Sequence, residues 1–380
     1  MRIAIVHDWL DTWGGAENVL TVLLDLYPDA DLYAIVDFLS AEDRARLGGR
    51  KVRTSFIQRL PFARRQFRKY LPLMPRAVER FDLSAYDLII SSSHAAAKGA
   101  RTGPAQYHVC LCYSPARYAW EFEQQYLDDA GLDRWPLAGL ARSAMRRFRE
   151  WDLRAAKRVD RFVAISAYIA RRIERCYGRS AEVIYPPVDV ARYAVAAVER
   201  SPFYLTLSRL VPYKRVDLLV AAFAAMPDRQ LVVAGDGPDM HALVAAAPAN
   251  IRLLGRVSDA ERDRLLATAR AFIFAAEEDF GIAPLEAQAS GTPVIAFCRG
   301  GAAETIRGLD SATPTGVFFA EQTPAAIRDA VMRFEQSADR ITAVACRANA
   351  QRFNVAAFRQ RFGEFVSTSF DAFRIARGSA

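Results

Sequence analysis

Ala271-Phe272-Ile273-Phe274, then Glu278-Asp279-Phe280-Gly281-Ile282-Ala283-Pro284-Leu285-Glu286, then Ala289-Ser290-Gly291-Thr292-Pro293-Val294-Ile295 is the stretch that decides the fold. A short apolar run gives way to a glycine-bearing loop, then to a helical pattern running to about Ser290, then to a second apolar run. Runs this short read as buried strands, and the helical segment between them reads as the crossover joining two parallel neighbours. The same alternation extends in both directions. Runs at 2–6, 32–36, 88–91, 108–112 and 161–165 make one series, and runs at 203–207, 230–234, 251–254, 271–274, 294–296 and 316–319 make a second. Strands alternating with helices in this way build parallel α/β sheets from βαβ units.

Between the two series lies Ile184-Tyr185-Pro186-Pro187-Val188-Asp189. Its double proline cannot continue a helix and stiffens an extended crossing, so the boundary between domains is expected there. The chain has 380 residues, too many for one ordinary core, and length alone favours two domains. The expected division is 1–188, 189–356 and a closing helical segment, 357–380. That last segment sets Phe358, Phe362, Phe365 and Val366 close together on one helix face, which needs a surface to cover.

Hydrophobic residues make up 52% and charged residues 25% of the chain, a globular balance, and no stretch is long enough to span a bilayer. Met1-Arg2-Ile3-Ala4-Ile5-Val6 enters a strand pattern directly, without the regions of a signal peptide, so a cytoplasmic location is expected. The five cysteines are scattered, and Cys110-Leu111-Cys112 lacks a second pair at zinc-ligand spacing, which points to reduced, buried thiols. The formal charge is +8 and is concentrated. Lys51, Arg53, Arg59, Arg64, Arg65, Arg68, Lys69, Arg76 and Arg80 face the single acid Glu79 within 51–80, interleaved with Leu60, Phe62, Phe67, Tyr70, Leu71, Leu73 and Met74. Such a segment either lies on an anionic membrane, here the inner face of the plasma membrane, or forms a solvated helix pair with an apolar inner face. No nucleic-acid module accompanies the charge, so nucleic acid is not an expected partner.

Chemistry concentrates in the loop at 278–286. Gly281 lets backbone approach a ligand, and the amides opening the next helix turn the positive end of its dipole toward that ligand. Glu278 and Glu286, eight residues apart, stand at the loop and one to two turns into the helix, where both can face one elongated molecule. Further loops follow other strands. Leu207-Ser208-Arg209-Leu210-Val211-Pro212-Tyr213-Lys214-Arg215 sets two cations five residues apart between a strand and a helix. Gly235-Asp236-Gly237-Pro238 is a tight turn, read either as a lining of the site or as a structural turn. Trp13-Gly14-Gly15-Ala16-Glu17 opens a helix after the first strand, and it is not the G-x-G-x-x-G of a dinucleotide oxidoreductase. Asp29 and Asp31 have the spacing of a metal pair, but nothing else in the sequence asks for a metal.

Taken together, Glu278 through Glu286 resembles the E-x7-E signature of the family 4 retaining glycosyltransferases, and 289–295 resembles the tail of that motif. The resemblance runs over most of the chain and implies the GT-B fold. In that α/β fold two Rossmann-like domains face each other across a cleft, and a C-terminal helix crosses back to the first domain. It implies an acceptor-binding first domain and a second domain that binds a nucleotide diphosphate-sugar donor, with no cofactor and no metal. Glu278 is then expected to face the donor sugar and Glu286 to hydrogen-bond the ribose, with the amides of Phe280, Gly281 and Ile282 on sugar hydroxyls or phosphate. Arg209 and Lys214 fall where the family keeps its diphosphate-binding pair, and such fixed cations stabilise the charge of a departing diphosphate. Gly14 and Gly15 are expected to close over the diphosphate, Gly235 to line the site, and the segment with Val257 to pack around the base.

A narrower likeness lies in Tyr113-Ser114-Pro115-Ala116-Arg117-Tyr118-Ala119-Trp120, which resembles the O-antigen and exopolysaccharide mannosyltransferases. It implies GDP-mannose as donor and a glycan or lipid-linked acceptor, with UDP-sugars as the alternative. His94, Tyr113, Arg117 and Tyr118 are the expected acceptor or sugar contacts. Tyr113 stands where that group has histidine, and a phenol is a poor proton acceptor near neutral pH. Two rival classes share the architecture: a sugar-nucleotide epimerase and a non-catalytic binding or scaffold protein.

Overall fold

The computed structural model describes residues 1–121, 137–193 and 199–378. The chain divides into two compact units, Met1–Pro186 with Phe358–Ala380, and Pro187–Ala357.

Among its described residues the first unit is built on seven parallel strands: β1 (Ile3–His7), β2 (Asp31–Ala34), β3 (Val52–Thr54), β4 (Leu88–Ser93), β5 (Tyr107–Cys112), β6 (Arg161–Ala164) and β7 (Ala181–Val183). Their order across the sheet is β3-β2-β1-β4-β5-β6-β7, so the winding reverses between β1 and β4. β4 and β5 are buried along their whole length, as expected for central strands covered on both faces. The serines of β4 are buried with them; Ser91 Oγ is 2.8 Å from His108 Nε2 on the neighbouring strand.

Among its described residues the second unit has six parallel strands: β8 (Phe203–Leu207), β9 (Gln230–Ala234), β10 (Ile251–Gly255), β11 (Ala271–Phe274), β12 (Val294–Phe297) and β13 (Gly316–Phe319), in the order β10-β9-β8-β11-β12-β13. Here the reversal falls between β8 and β11. Open α/β sheets hold ligands at the carboxyl ends of strands beside such a reversal. The two switch points are therefore the places to look for chemistry.

The helix Val355–Gly378 closes the first unit. Phe358, Phe362 and Val366 are its buried stripe, Arg359 reaches Asp25 at 2.6 Å, and the rings of Phe370 and Phe373 pack on Tyr107. All five cysteines are free thiols; Cys110, Cys112 and Cys346 are buried, but Cys298 is exposed, contrary to the expectation of general burial. The basic segment 51–80 is also more mixed than its composition implied. Phe67, Leu71 and Met74 belong to the core, whereas Phe62 (77% exposed) and Leu73 (39%) face outward among nine exposed cations. No described helix is long and apolar enough to cross a membrane.

Candidate active site

The switch point of the second sheet gathers most of the residues singled out by sequence. Arg209 follows β8, Gly235 follows β9, Val257 follows β10 and Glu278 follows β11, so parallel pairing brings all four loops to one sheet edge. Lys214 ends the single turn Pro212–Lys214, and its ammonium is ion-paired with Glu278 Oε1. Arg209 is exposed on the same loop. The result is a carboxylate and two cations at the mouth of one sheet, an arrangement suited to an anionic, hydroxyl-bearing ligand.

Two glycine turns shape this edge by letting backbones touch. A Cβ on Gly235 would lie 1.8 Å from the carbonyl oxygen of Ser208, and one on Gly237 would lie 2.2 Å from that of Leu210. The turn thus seats the loop carrying Arg209, and Leu210 N–H donates to the carbonyl of Asp236 at 2.9 Å. Gly300 and Gly301, which the sequence reading passed over, do the same for the Glu278 loop. Their absent side chains are replaced by the backbones of Glu278 and Phe280, and Gly301 N–H donates to the Glu278 carbonyl at 2.8 Å.

Gly281 stands at φ +85° as the N-cap of the helix Ile282–Ala289, with no side-chain cap on its first amides. Phe280 and Ile282 flank the glycine at this helix start, and helix starts as a class suit anions. Glu286 lies on the same helix and accepts a hydrogen bond from Tyr193 at 2.8 Å. Burial raises the pKa of Glu286; the phenol of Tyr193 and the guanidinium groups of Arg262 and Arg192 oppose that rise. Val257 is half-buried beside Ser258, which caps the helix Asp259–Thr268.

The switch point of the first sheet is organised around a residue that was not nominated. Asp8, directly after β1, is fully buried and accepts four backbone N–H bonds: Oδ2 from His94 and Ala95, at 2.6 and 2.8 Å, and Oδ1 from Ala96 and Ala97, each at 2.6 Å. Burial alone would raise this carboxyl, but the His94 ring and the amides of His94 and Ala97 outweigh it and hold it below its usual range. His94 Nδ1 lies 3.2 Å from Asp8 Oδ2. Its ring is titrated lower than an ordinary histidine because burial outweighs the pull of Asp8. The Trp9 ring meets His94 edge-on at 4.6 Å.

Tyr113 closes a second set of bonds. Ser92 Oγ shares hydrogen bonds with His7 Nδ1 and with the Tyr113 hydroxyl, both at 2.9 Å, and that hydroxyl donates to the carbonyl of Ala16 at 3.3 Å. Burial pushes the phenol well above its usual range, so Tyr113 acts as a hydrogen-bonding strut and not as a base. It fixes the start of the helix Gly15–Leu26, where Gly14 is extended and offers no side-chain cap. Glu17 in that first turn lies 3.5 Å from His7 Nε2. Arg117 is half-buried at the start of the helix Arg117–Trp120, and the side chain of Tyr118 lies outside the described residues.

The residues the sequence missed have partners it cannot display. Asp8 holds amides, which carry no residue identity, and Tyr193 meets a partner 93 positions away. An aspartate at the carboxyl end of a first strand was the one available signal. Asp31, half of the spaced pair, instead accepts from Tyr86 at 2.5 Å and pairs with Arg53. Among the described residues no group of three or more His, Cys, Asp or Glu side chains is placed to hold a metal.

Two family models match the chain in succession, "Glycosyltransferase Family 4" over residues 13–192 and "Glycosyl transferases group 1" over residues 189–353. The GDP-mannose-dependent monoacylated alpha-(1-6)-phosphatidylinositol monomannoside mannosyltransferase of Corynebacterium glutamicum is 34% identical over 178 residues, covering 39% of this chain and 47% of that protein. The GDP-mannose-dependent alpha-(1-6)-phosphatidylinositol monomannoside mannosyltransferase of Mycolicibacterium smegmatis is 32% identical over 214 residues, 48% of this chain and 53% of that protein. The chain thus spans about half the length of the curated relatives it matches. The crystal structure of Anabaena HepE in complex with UDP is similar with a TM-score of 0.68 at 19% identity, covering 97% of this chain and 100% of that one. The fold is GT-B: two Rossmann-like sheets with a terminal helix returned to the first unit. Both family models describe glycosyltransferases, and both relatives are mannosyltransferases by name.

Proposed function

We propose that this chain, a relative of the family 4 glycosyltransferases, is a retaining hexosyltransferase that moves mannose from GDP-mannose onto a lipid-linked or oligosaccharide acceptor in surface polysaccharide assembly of the O-antigen or exopolysaccharide kind. The observation that carries the reading is the Lys214–Glu278 pair at the second switch point, with Arg209 on the adjoining loop. Both curated relatives described above are GDP-mannose-dependent by name, and the segment at 113–120 supports the same donor.

In this reading the second unit holds the donor. Arg209 and Lys214 take the diphosphate, Glu278 faces the sugar, Glu286 takes the ribose, and Phe280, Gly281 and Ile282 present amides, with Gly235 and Val257 completing the edge. The first unit takes the acceptor near His94, Tyr113, Arg117 and Tyr118, and Gly14 and Gly15 close on the diphosphate. As the bond from the anomeric carbon to the diphosphate breaks, the acceptor oxygen bonds to the same face, and its proton passes to the departing phosphate. The two cations stabilise the charge that the diphosphate gains, which is the usual work of fixed donors aimed at a developing anion. No cofactor enters this scheme. The exposed cations of 51–80, with Phe62 and Leu73 among them, are read as a contact for the anionic inner face of the plasma membrane.

The test is a binding and hydrolysis screen of GDP-mannose, GDP-fucose, UDP-glucose and UDP-N-acetylglucosamine with EDTA present, beside Lys214→Ala and Glu286→Ala. Selective binding or slow hydrolysis of GDP-mannose that both substitutions weaken is the expected result. Selective use of a UDP-sugar would change the donor and leave the reaction class standing. If no sugar nucleotide binds and neither substitution changes anything, the reading is wrong.

A further inference from the structure

Glu286 does not stand alone on its helix. Tyr193, buried in the turn that follows Val188 and Val190, donates to Glu286 Oε1 at 2.8 Å, the one side-chain hydrogen bond that this carboxylate receives among the described residues. The phenol is itself held in a charged frame. The guanidinium carbons of Arg192 and Arg262 lie 5.8 and 5.9 Å from its ring centroid. Arg192 is bound in turn to Asp259 and Asp263, each at 3.0 Å, and Arg262 to the same two carboxylates at 3.4 and 3.1 Å. Two arginines, held by the same two aspartates, therefore flank the ring whose hydroxyl binds one oxygen of Glu286.

We infer that Tyr193 is the positioning residue for the ribose-binding carboxylate: by holding Oε1 it leaves Oε2 aimed to accept from a ribose hydroxyl. The inference rests on the reading that Glu286 takes the ribose. Its chemical logic is that an ionised carboxylate accepts hydrogen bonds at both oxygens, so a rigid donor on one orients the other. Preorganisation of this kind raises affinity by removing the need to order the side chain on binding. The phenol also favours the ionised form. Burial raises the Glu286 carboxyl, Tyr193 and then Arg262 and Arg192 counter that, and Asp263 adds to it. Loss of the hydroxyl alone therefore leaves a carboxyl that protonates at higher pH, and a protonated acid is a poorer double acceptor.

The experiment is calorimetric binding of GDP and UDP, each with its 2′-deoxy and 3′-deoxy counterparts, to the full chain and to Tyr193→Phe at pH 8 and pH 6. Whichever nucleotide binds, the native chain is expected to prefer the ribose form over one deoxy form about tenfold. In Tyr193→Phe that preference is expected to shrink to about twofold, and affinity for the ribose form to fall more at pH 6 than at pH 8. Glu286→Gln, which keeps the shape and removes the charge, is expected to lose the pH difference. A native chain that treats ribose and deoxyribose alike overturns the assignment of Glu286 and the inference with it. A native chain that discriminates, beside a Tyr193→Phe protein that discriminates equally well at both pH values, overturns the inference alone. Unchanged thermal melting of Tyr193→Phe excludes a general loss of structure as the cause of a positive result.

Discussion

Asp8 follows β1 at the switch point of the first sheet, and Glu278 follows β11 at that of the second; the two carboxylates stand on opposite strands of corresponding reversals and are used differently. Asp8 is buried and holds four amides of the 94–97 loop. Glu278 stands in a half-buried loop against the ammonium of Lys214. One strand order thus yields a loop fastened from within on the first sheet and a charged rim on the second. The difference shows that topology fixes where chemistry can occur, whereas the partner of each strand-end residue decides whether that place becomes scaffold or site.

Four substitutions or conditions test this contrast. The largest effect is expected at Lys98, whose ammonium lies 2.6 Å from Asp152 Oδ1 with both side chains wholly buried. Lys98→Met leaves an uncompensated carboxylate in the core and is expected to cost about 3–5 kcal/mol of stability by urea unfolding. If the variant unfolds like the native chain, the first loop is not fastened from within. Next in size is Lys214→Ala, for which sugar transfer or donor hydrolysis is expected to slow by about 100- to 1,000-fold, with the urea midpoint unchanged. A stability loss without a rate loss would move this pair from site to scaffold.

Tyr113→Phe removes one hydroxyl from the Ser92 and Ala16 contacts and is expected to cost about 1 kcal/mol in thermal or urea unfolding. No loss at all would mean that the hydroxyl is not a strut. At neutral pH the smallest effect is that of His108, and it grows on acidification. His108 is fully buried, and burial pushes its pKa down to about 3. The folded chain therefore keeps this ring neutral while the unfolded chain takes up a proton below about pH 6.5. Stability is complete above that value and falls as pH drops from 6.5 toward 3, by at most about 1.4 kcal/mol per pH unit from this residue. Urea midpoints at pH 7.5, 6 and 5 should fall, and His108→Gln should flatten the slope; an equal slope in the variant would remove His108 from the account.

Interior strands were legible in the sequence because burial on both faces writes itself as apolar runs, and each of the runs read at 203–207, 230–234 and 271–274 is a strand with those bounds. The strands Val52–Thr54 and Ala181–Val183 were not, since each is a three-residue edge whose side chains are partly exposed and need no apolar signal. In the site, motifs placed Lys214 and Glu278 on the right loops, but their meeting depends on β8 pairing with β11, across more than sixty intervening positions. Gly300 and Gly301 were illegible for a different reason. Their requirement comes from backbone that passes close by, and backbone has no sequence of its own.

The return of Val355–Gly378 to the first unit has a consequence for synthesis on the ribosome. The segment that covers Leu26 and Tyr107 emerges only after every strand of the second sheet. Domains ordinarily mature in the order in which they are translated. Here the sheet of the first unit is made before the second unit but waits for its helical covering until after it, so the nascent first unit carries an apolar seam for the time taken to translate 187–357.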